Sequence, residues 1–203
     1  MIAIVDYGVG NLFSLASSLS ALGLTSEVTG DPQVLARAEK IILPGVGAFG
    51  DAMDKLTLTG LVPVLLEQAQ RKPLLGICLG MQLLFETGTE FGVHKGLGLI
   101  PGKVCPLKDD LDDSSLKVPH MGWNSLVLKT QDPIFKYFEN GRYVYYVHSF
   151  YAKYCAESTL AVSDYGGVDV VGVVRSGNVY GMQFHPEKSG DAGLCLLKAF
   201  AEL

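Results

Sequence analysis

Three separated segments carry residue types that could do covalent chemistry together. Cys78 sits in Gly76-Ile77-Cys78-Leu79-Gly80, after one apolar run and before another. Glycine on both sides lets the chain turn tightly and puts the central side chain at an exposed apex. This is the nucleophile-elbow pattern with cysteine in place of serine. A helix opening just past the thiol would lower its pKa through its dipole and free N–H groups. The Leu79 amide could also donate to an oxyanion forming on a carbonyl under attack. The competing reading is a buried small hydrophobe, the usual state of a free cysteine.

His185-Pro186-Glu187 follows the apolar run Val179 to Phe184. Proline biases His185 away from the α region, so the tripeptide is expected to be extended. Residues i and i+2 then project to one side. Glu187 could hold one imidazole nitrogen and fix its tautomer, leaving the other as a base. The competing reading is a strand-end histidine beside a solvated acid. With Cys78 it completes a set of nucleophile, base and orienter, all at the C-terminal ends of strands, where open α/β sheets hold ligands.

The run Gly45 to Gly50 satisfies GxGxxG after a strand, with Glu67 20 residues beyond Gly47. Formally that is a dinucleotide-binding fingerprint. The fingerprint usually follows the first strand of its sheet, however, and this one follows the third. A glycine turn there can instead present backbone N–H groups as the second half of an oxyanion hole, the reading favoured here.

Other segments carry less. Asp6-Tyr7-Gly8-Val9-Gly10-Asn11 lacks the lysine of a P-loop. Asp109-Asp110-Leu111-Asp112-Asp113 lacks the glycine and distal glutamate of a calcium loop and reads as a solvated acidic stretch. His94, His120 and His148 have no HxxxH or HExxH spacing, so no metal is expected. Cys195 shares a helical face with Ala192, Leu196 and Ala199 and is expected in the core. Trp123, the only tryptophan, is either core or an exposed interface anchor.

The elements that must position these residues alternate in the first half. Strands are expected at Ile2 to Val5, Thr25 to Val28, Ile41 to Leu43 and Leu74 to Ile77. Between them Asn11 caps a helix with Leu12, Leu15, Ala16 and Leu19 at i, i+3, i+4, i+7, and Asp31-Pro32 opens a shorter one. Leu61, Val64, Leu65 and Ala69 form a further helical face, and Leu79 to Phe85 reads as a helix. The rhythm predicts an α/β fold: a mostly parallel twisted sheet with helices on both faces. The second half is strand-like at Tyr143 to His148, Thr159 to Val162, Val168 to Val174 and Val179 to Phe184, with a hairpin turn at Ser176-Gly177-Asn178 between the last two, and is expected to add an antiparallel strand region. A last helix begins near Ala192.

Composition narrows the partners. The 203 residues predict a single domain over 1–203. Lys+Arg 16 against Asp+Glu 21, with no basic cluster, argues against nucleic acid. No apolar stretch approaches the roughly 18 residues of a membrane span. The start, Met1-Ile2-Ala3-Ile4-Val5-Asp6, reads as a buried strand and not a signal peptide. Cys78, Cys105, Cys155 and Cys195 contain no CxxC pair. Free thiols in a cytoplasmic protein are expected.

Taken together, Gly76-Ile77-Cys78-Leu79-Gly80-Met81-Gln82, Pro44-Gly45-Val46-Gly47 and Gly181-Met182-Gln183-Phe184-His185-Pro186-Glu187 resemble the class I, triad-type glutamine amidotransferases. Asp6 to Leu12, Pro119-His120-Met121-Gly122-Trp123-Asn124 and Tyr146-Val147-His148-Ser149-Phe150 narrow the likeness to the glutaminase subunits of imidazole glycerol phosphate synthases, and it spans the chain. The resemblance implies a flavodoxin-like core and hydrolysis of glutamine to glutamate and ammonia without a cofactor. Cys78 would attack the side-chain amide, His185 would protonate ammonia and then activate water, and Glu187 would orient His185. Leu79 and the Val46-Gly47 turn, with Gly45 beside it, match oxyanion-hole positions. Gln82, Glu90 and the Ser149-Phe150 backbone match positions that hold glutamine. The implied partner is a (β/α)8-barrel cyclase of histidine biosynthesis that receives the ammonia, docked near Asn11, Trp123 and Lys188. The triad alone also fits a sister glutaminase, such as that of pyridoxal phosphate synthesis, or a stand-alone cysteine hydrolase.

Overall fold

The computed structural model describes residues 1–112 and 115–203; Asp113 of the acidic stretch lies outside them. The first half runs β1 (Ile2–Val5), α1 (Leu12–Ala21), β2 (Ser26–Thr29), α2 (Pro32–Arg37), β3 (Lys40–Leu43), α3 (Phe49–Leu58), α4 (Val62–Ala69), β4 (Leu74–Ile77) and α5 (Leu79–Gln82). Then come β5 (Phe85–Gly88), β6 (His94–Lys95), β7 (Ile100–Pro106), β8 (His120–Ser125), β9 (Val127–Leu128), β10 (Tyr143–His148) and β11 (Phe150–Lys153). The chain ends with β12 (Thr159–Tyr165), β13 (Val168–Ser176), β14 (Val179–Met182) and α6 (Gly190–Ala201).

The main sheet has eight strands in the order β2-β1-β3-β4-β14-β13-β12-β9. Its first five strands are all parallel, and the remaining three pair antiparallel. The strand sequences dictate a sheet covered on both faces, because apolar side chains occupy both alternations. Ile2, Ile4, Ile42, Leu75 and Ile77 pack on one face with Leu15 and Leu19 of α1 and Leu196, Leu197 and Phe200 of α6. Ala3, Val5, Ile41, Leu43 and Leu74 pack on the other with Leu35 of α2, Phe49 and Leu56 of α3 and Leu65 of α4. Each fully buried Leu or Ile contributes about 1.5–3 kcal/mol, so the double layer fixes the strand ends firmly. Two smaller sheets, β10-β8 and β11-β7-β5-β6, stand beside those ends.

Two expectations need correction, and one helix was not foreseen. The apolar run Leu79 to Phe85 is not one helix: α5 stops at Gln82, and Phe85 starts β5, which pairs with β7. The glycine turn gives way to α3 already at Phe49, a helix the residues alone did not announce. Cys195 is half-buried at the edge of the α6 stripe, its sulfur 3.7 Å from Arg142 Nη1, because Leu197 and Phe200 turn the apolar stripe away from it.

Candidate active site

The thiol is presented by an elbow that packing enforces. Cys78 holds φ 53 and ψ −114, a left-handed backbone that costs a side-chain-bearing residue about 1–3 kcal/mol. What sustains it is the approach of α5 to the strand ends. A Cβ on Gly80 would lie 1.9 Å from the Leu43 carbonyl oxygen, and one on Gly76 would lie 2.6 Å from the Gly80 oxygen. The Cys78 N–H donates to Met182 O at 2.7 Å, tying the elbow to β14. Since α5 has four residues, it offers the sulfur a first turn of N–H groups and not the dipole of a long helix.

His185 and Glu187 meet that sulfur from the end of β14. Pro186–Lys188 forms a 3-10 turn, so the tripeptide is not extended as expected; His185 alone keeps extended dihedrals, φ −95 and ψ 98. The turn still brings the Glu187 carboxylate to the ring, and His185 Nδ1 donates to Glu187 Oε1 at 2.8 Å. Both side chains are buried. Burial pushes His185 toward its neutral form. Hydrogen bonds and charge from Cys78 and then Glu187 outweigh it and raise the imidazole to about 9. The arrangement therefore favours a charged imidazole held between the Cys78 sulfur and a carboxylate. Among the described residues Glu187 Oε2 is buried with no hydrogen-bond partner, so the ring carries the whole of that carboxylate's local pairing.

A cavity of about 310 Å³ opens over the sulfur. Its wall includes Cys78, His185, Leu79, Gln82, Glu90 and the two stretches Val46-Gly47 and Ser149-Phe150. Gly45 lies just behind, where a Cβ would come 2.6 Å from Gly80 N; only glycine lets the two turns touch. Tyr7 pins this turn, its hydroxyl donating to Pro44 O at 2.9 Å. Gln82 Nε2 donates to Phe150 O at 2.9 Å and to Gln183 Oε1 at 3.0 Å. Glu90 Oε2 accepts from Phe49 N at 2.8 Å and so caps α3 as well as facing the cavity. Such a space is the size of one amino acid, with the Cys78 sulfur and the His185 ring in its wall.

The residues expected at a docking surface also gather. Asn11 Oδ1 accepts from Ser14 N at 3.4 Å, capping α1, and Asn11 shares a small cavity with His185 and Glu187. Lys188 is exposed on the 3-10 turn. Trp123 is 55% exposed on β8, which excludes the core reading, and its ring meets Tyr145 edge-on. Tyr145 in turn bonds the backbone of His185 and the hydroxyl of Ser189. Sequence reasoning gave no role to Tyr7, Val147 and Gln183, and weighed His120 and His148 only as metal ligands. A polar residue amid apolar neighbours, as in Met182-Gln183-Phe184, was the available signal for Gln183. Among the described residues no cluster of three His, Cys, Asp or Glu side chains suits a metal ion, and no helix is long and apolar enough to cross a membrane.

Comparison with known proteins names this architecture. The family model for glutamine amidotransferase class-I matches residues 3–201. The chain belongs to that family and is a glutamine amidotransferase. It is 48% identical, over its whole length and 96% of the relative, to imidazole glycerol phosphate synthase subunit HisH of Listeria monocytogenes serotype 4b. It is 47% identical over the whole of both chains to the subunit of the same name from Syntrophotalea carbinolica. Among solved structures, that of PurLQS from Thermotoga maritima superposes with a TM-score of 0.74 at 23% identity, covering 99% of this chain and 97% of the other, a likeness of fold.

Proposed function

We propose that this chain is the glutaminase subunit of an imidazole glycerol phosphate synthase in the cytoplasm. The single observation that carries the mechanism is the convergence of Cys78, His185 and Glu187 at one end of a substrate-sized cavity. The Cys78 thiolate attacks the side-chain carbonyl carbon of glutamine. The oxygen that gains the charge is met by the Leu79 N–H and by the Val46-Gly47 turn, each donor contributing about 2.7–4 kcal/mol when aimed at it. His185 gives its proton to the departing amine as the C–N bond breaks, leaving a γ-glutamyl thioester and ammonia. The neutral ring then takes a proton from water, which attacks the thioester and frees glutamate and the thiol. Gln82, Glu90 and the Ser149-Phe150 backbone hold the amino-acid end.

The relatives bear the name of a synthase subunit, which supports a second polypeptide as the consumer of ammonia. We assign that role to a (β/α)8-barrel cyclase docked on the surface around Asn11, Trp123 and Lys188. Cys78→Ala tests the reading: ammonia release from glutamine is lost while the variant still binds the synthase partner. Ammonia release by that variant at the wild-type rate overturns it.

A further inference from the structure

His120 and His148 face each other in register on β8 and β10, both buried, and the mechanism above uses neither. Their hydrogen bonds leave one possible order. His148 Nδ1 lies 2.9 Å from the Phe150 carbonyl oxygen, which can only accept, so Nδ1 carries the hydrogen. His148 Nε2 is then an acceptor, and His120 Nδ1 must donate to it at 2.9 Å. His120 Nε2 accepts in turn from Asn124 Nδ2 at 3.3 Å. The amide of Asn124 is itself fixed, since Nδ2 donates to Asp164 O at 2.7 Å and Oδ1 accepts from Ser125 N at 2.8 Å. The His120 ring is stacked between Tyr146 and Tyr165, with centroids 4.7 and 4.1 Å away, and has no room to turn.

This one-way chain ends on an atom that matters. The Phe150 carbonyl accepts from His148 on one side and from Gln82 Nε2, 2.9 Å away, on the other. Phe150, Ser149, Gln82 and His148 all line the cavity over Cys78. We propose that His120 and His148 are positioning residues of the glutamine site: neutral rings, both protonated on Nδ1, that hold the Phe150 carbonyl and with it the Ser149-Phe150 wall. The proposal deepens the glutaminase reading and rests on it. Burial keeps both rings neutral, His120 at about 4 and His148 at about 3, a charge on His148 being further opposed by repulsion from any charge on His120 or His185. Two neutral imidazoles can share a hydrogen where two imidazolium ions could not. Without the His120 donor, His148 Nε2 becomes a buried acceptor with no partner. The ring then loses the bond that fixes its orientation, and Nδ1–H is held less firmly against the Phe150 oxygen.

Two measurements test this. In 15N-labelled protein at pH 7, nitrogen shifts should place the hydrogen on Nδ1 of both rings, the less favoured tautomer of a free imidazole; a hydrogen on Nε2 of either ring overturns the assignment. Glutamine affinity is then read by calorimetry in the Cys78→Ala background, where no turnover interferes. His120→Phe keeps the stacked ring but removes the donor, and Kd should rise about tenfold. His120→Asn, whose amide nitrogen stands where Nδ1 stood, should restore affinity to within about threefold. Should His120→Phe fail to fold, Asn124→Leu removes the next link out and should raise Kd about threefold. Unchanged affinity in a folded His120→Phe or Asn124→Leu variant overturns the positioning role alone. Absence of glutamine binding by the Cys78→Ala parent overturns the glutaminase reading beneath it.

Discussion

Glu187→Gln isolates the carboxylate's share of the chemistry while keeping the side chain's shape. In the wild type, His185 Nδ1 donates to Oε1 at 2.8 Å inside a closed environment. Raising the imidazole from 6.5 to about 9 corresponds to a preference of about 3 kcal/mol for the charged ring. Cys78 and then Glu187 supply it, so neutralising Glu187 removes part of it. In the proposed mechanism the charged ring is both the partner of the Cys78 sulfur and the acid that releases ammonia. The loss therefore transmits to kcat as a fall of about tenfold, with about 150-fold, the whole of that preference, as its ceiling. An amide can also offer its nitrogen to Nδ1 and favour the wrong tautomer, which drives the effect toward the upper figure. A proton NMR titration of the His185 ring should show its pKa falling below the wild-type value. Ammonia release at saturating glutamine, coupled to a dehydrogenase, reads kcat. A titration unchanged at about 9, or a kcat within threefold of wild type, would refute the reasoning.

Stability should follow the same ionisation. The folded value of His185, about 9, lies above its ordinary 6.5. Its stabilisation is therefore fully present below about pH 6.5 and lost as pH rises through 9, and the melting-temperature gap between wild type and Glu187→Gln should close across that window. Gly80→Ala places a methyl 1.9 Å from the Leu43 oxygen and should cost about 3 kcal/mol or more, a fall of about 6–12 °C in Tm; a loss under 2 °C would mean the elbow is not held by that contact. Trp123→Ala, at an exposed site, should leave Tm within about 2 °C while weakening the cyclase complex by about 2 kcal/mol or thirtyfold. A large Tm loss with unchanged affinity would return Trp123 to the fold.

The parallel half of the sheet was legible because its signals are local. Asn11 and Asp31 do cap α1 and α2, and the apolar alternation of β1, β3 and β4 demanded cover on both faces. What escaped was decided at a distance. The N-terminus of α3 has no cap of its own; Glu90, 41 residues away, supplies it. No window around Ala48 contains that information. The run Leu79 to Phe85 is apolar enough for helix or strand, and the Phe85–Ile100 pairing with β7 decides where the helix stops. His185-Pro186-Glu187 was read as extended, yet its 3-10 turn makes the same contact, because proline at the first turn position admits both. The His120–His148 pair was set aside for lacking metal spacing. Only the register of β8 on β10 puts the two rings together.

The most direct test of the account is covalent capture of the sulfur. An electrophilic diazoketone analogue of glutamine, incubated with the protein and followed by peptide mass mapping, should modify Cys78 once per chain and leave Cys105, Cys155 and Cys195 untouched. Glutamine should protect against it, and His185→Ala should slow it sharply. Labelling spread over the other thiols, or unaffected by glutamine, would contradict a thiolate poised beside a charged imidazole at residue 78.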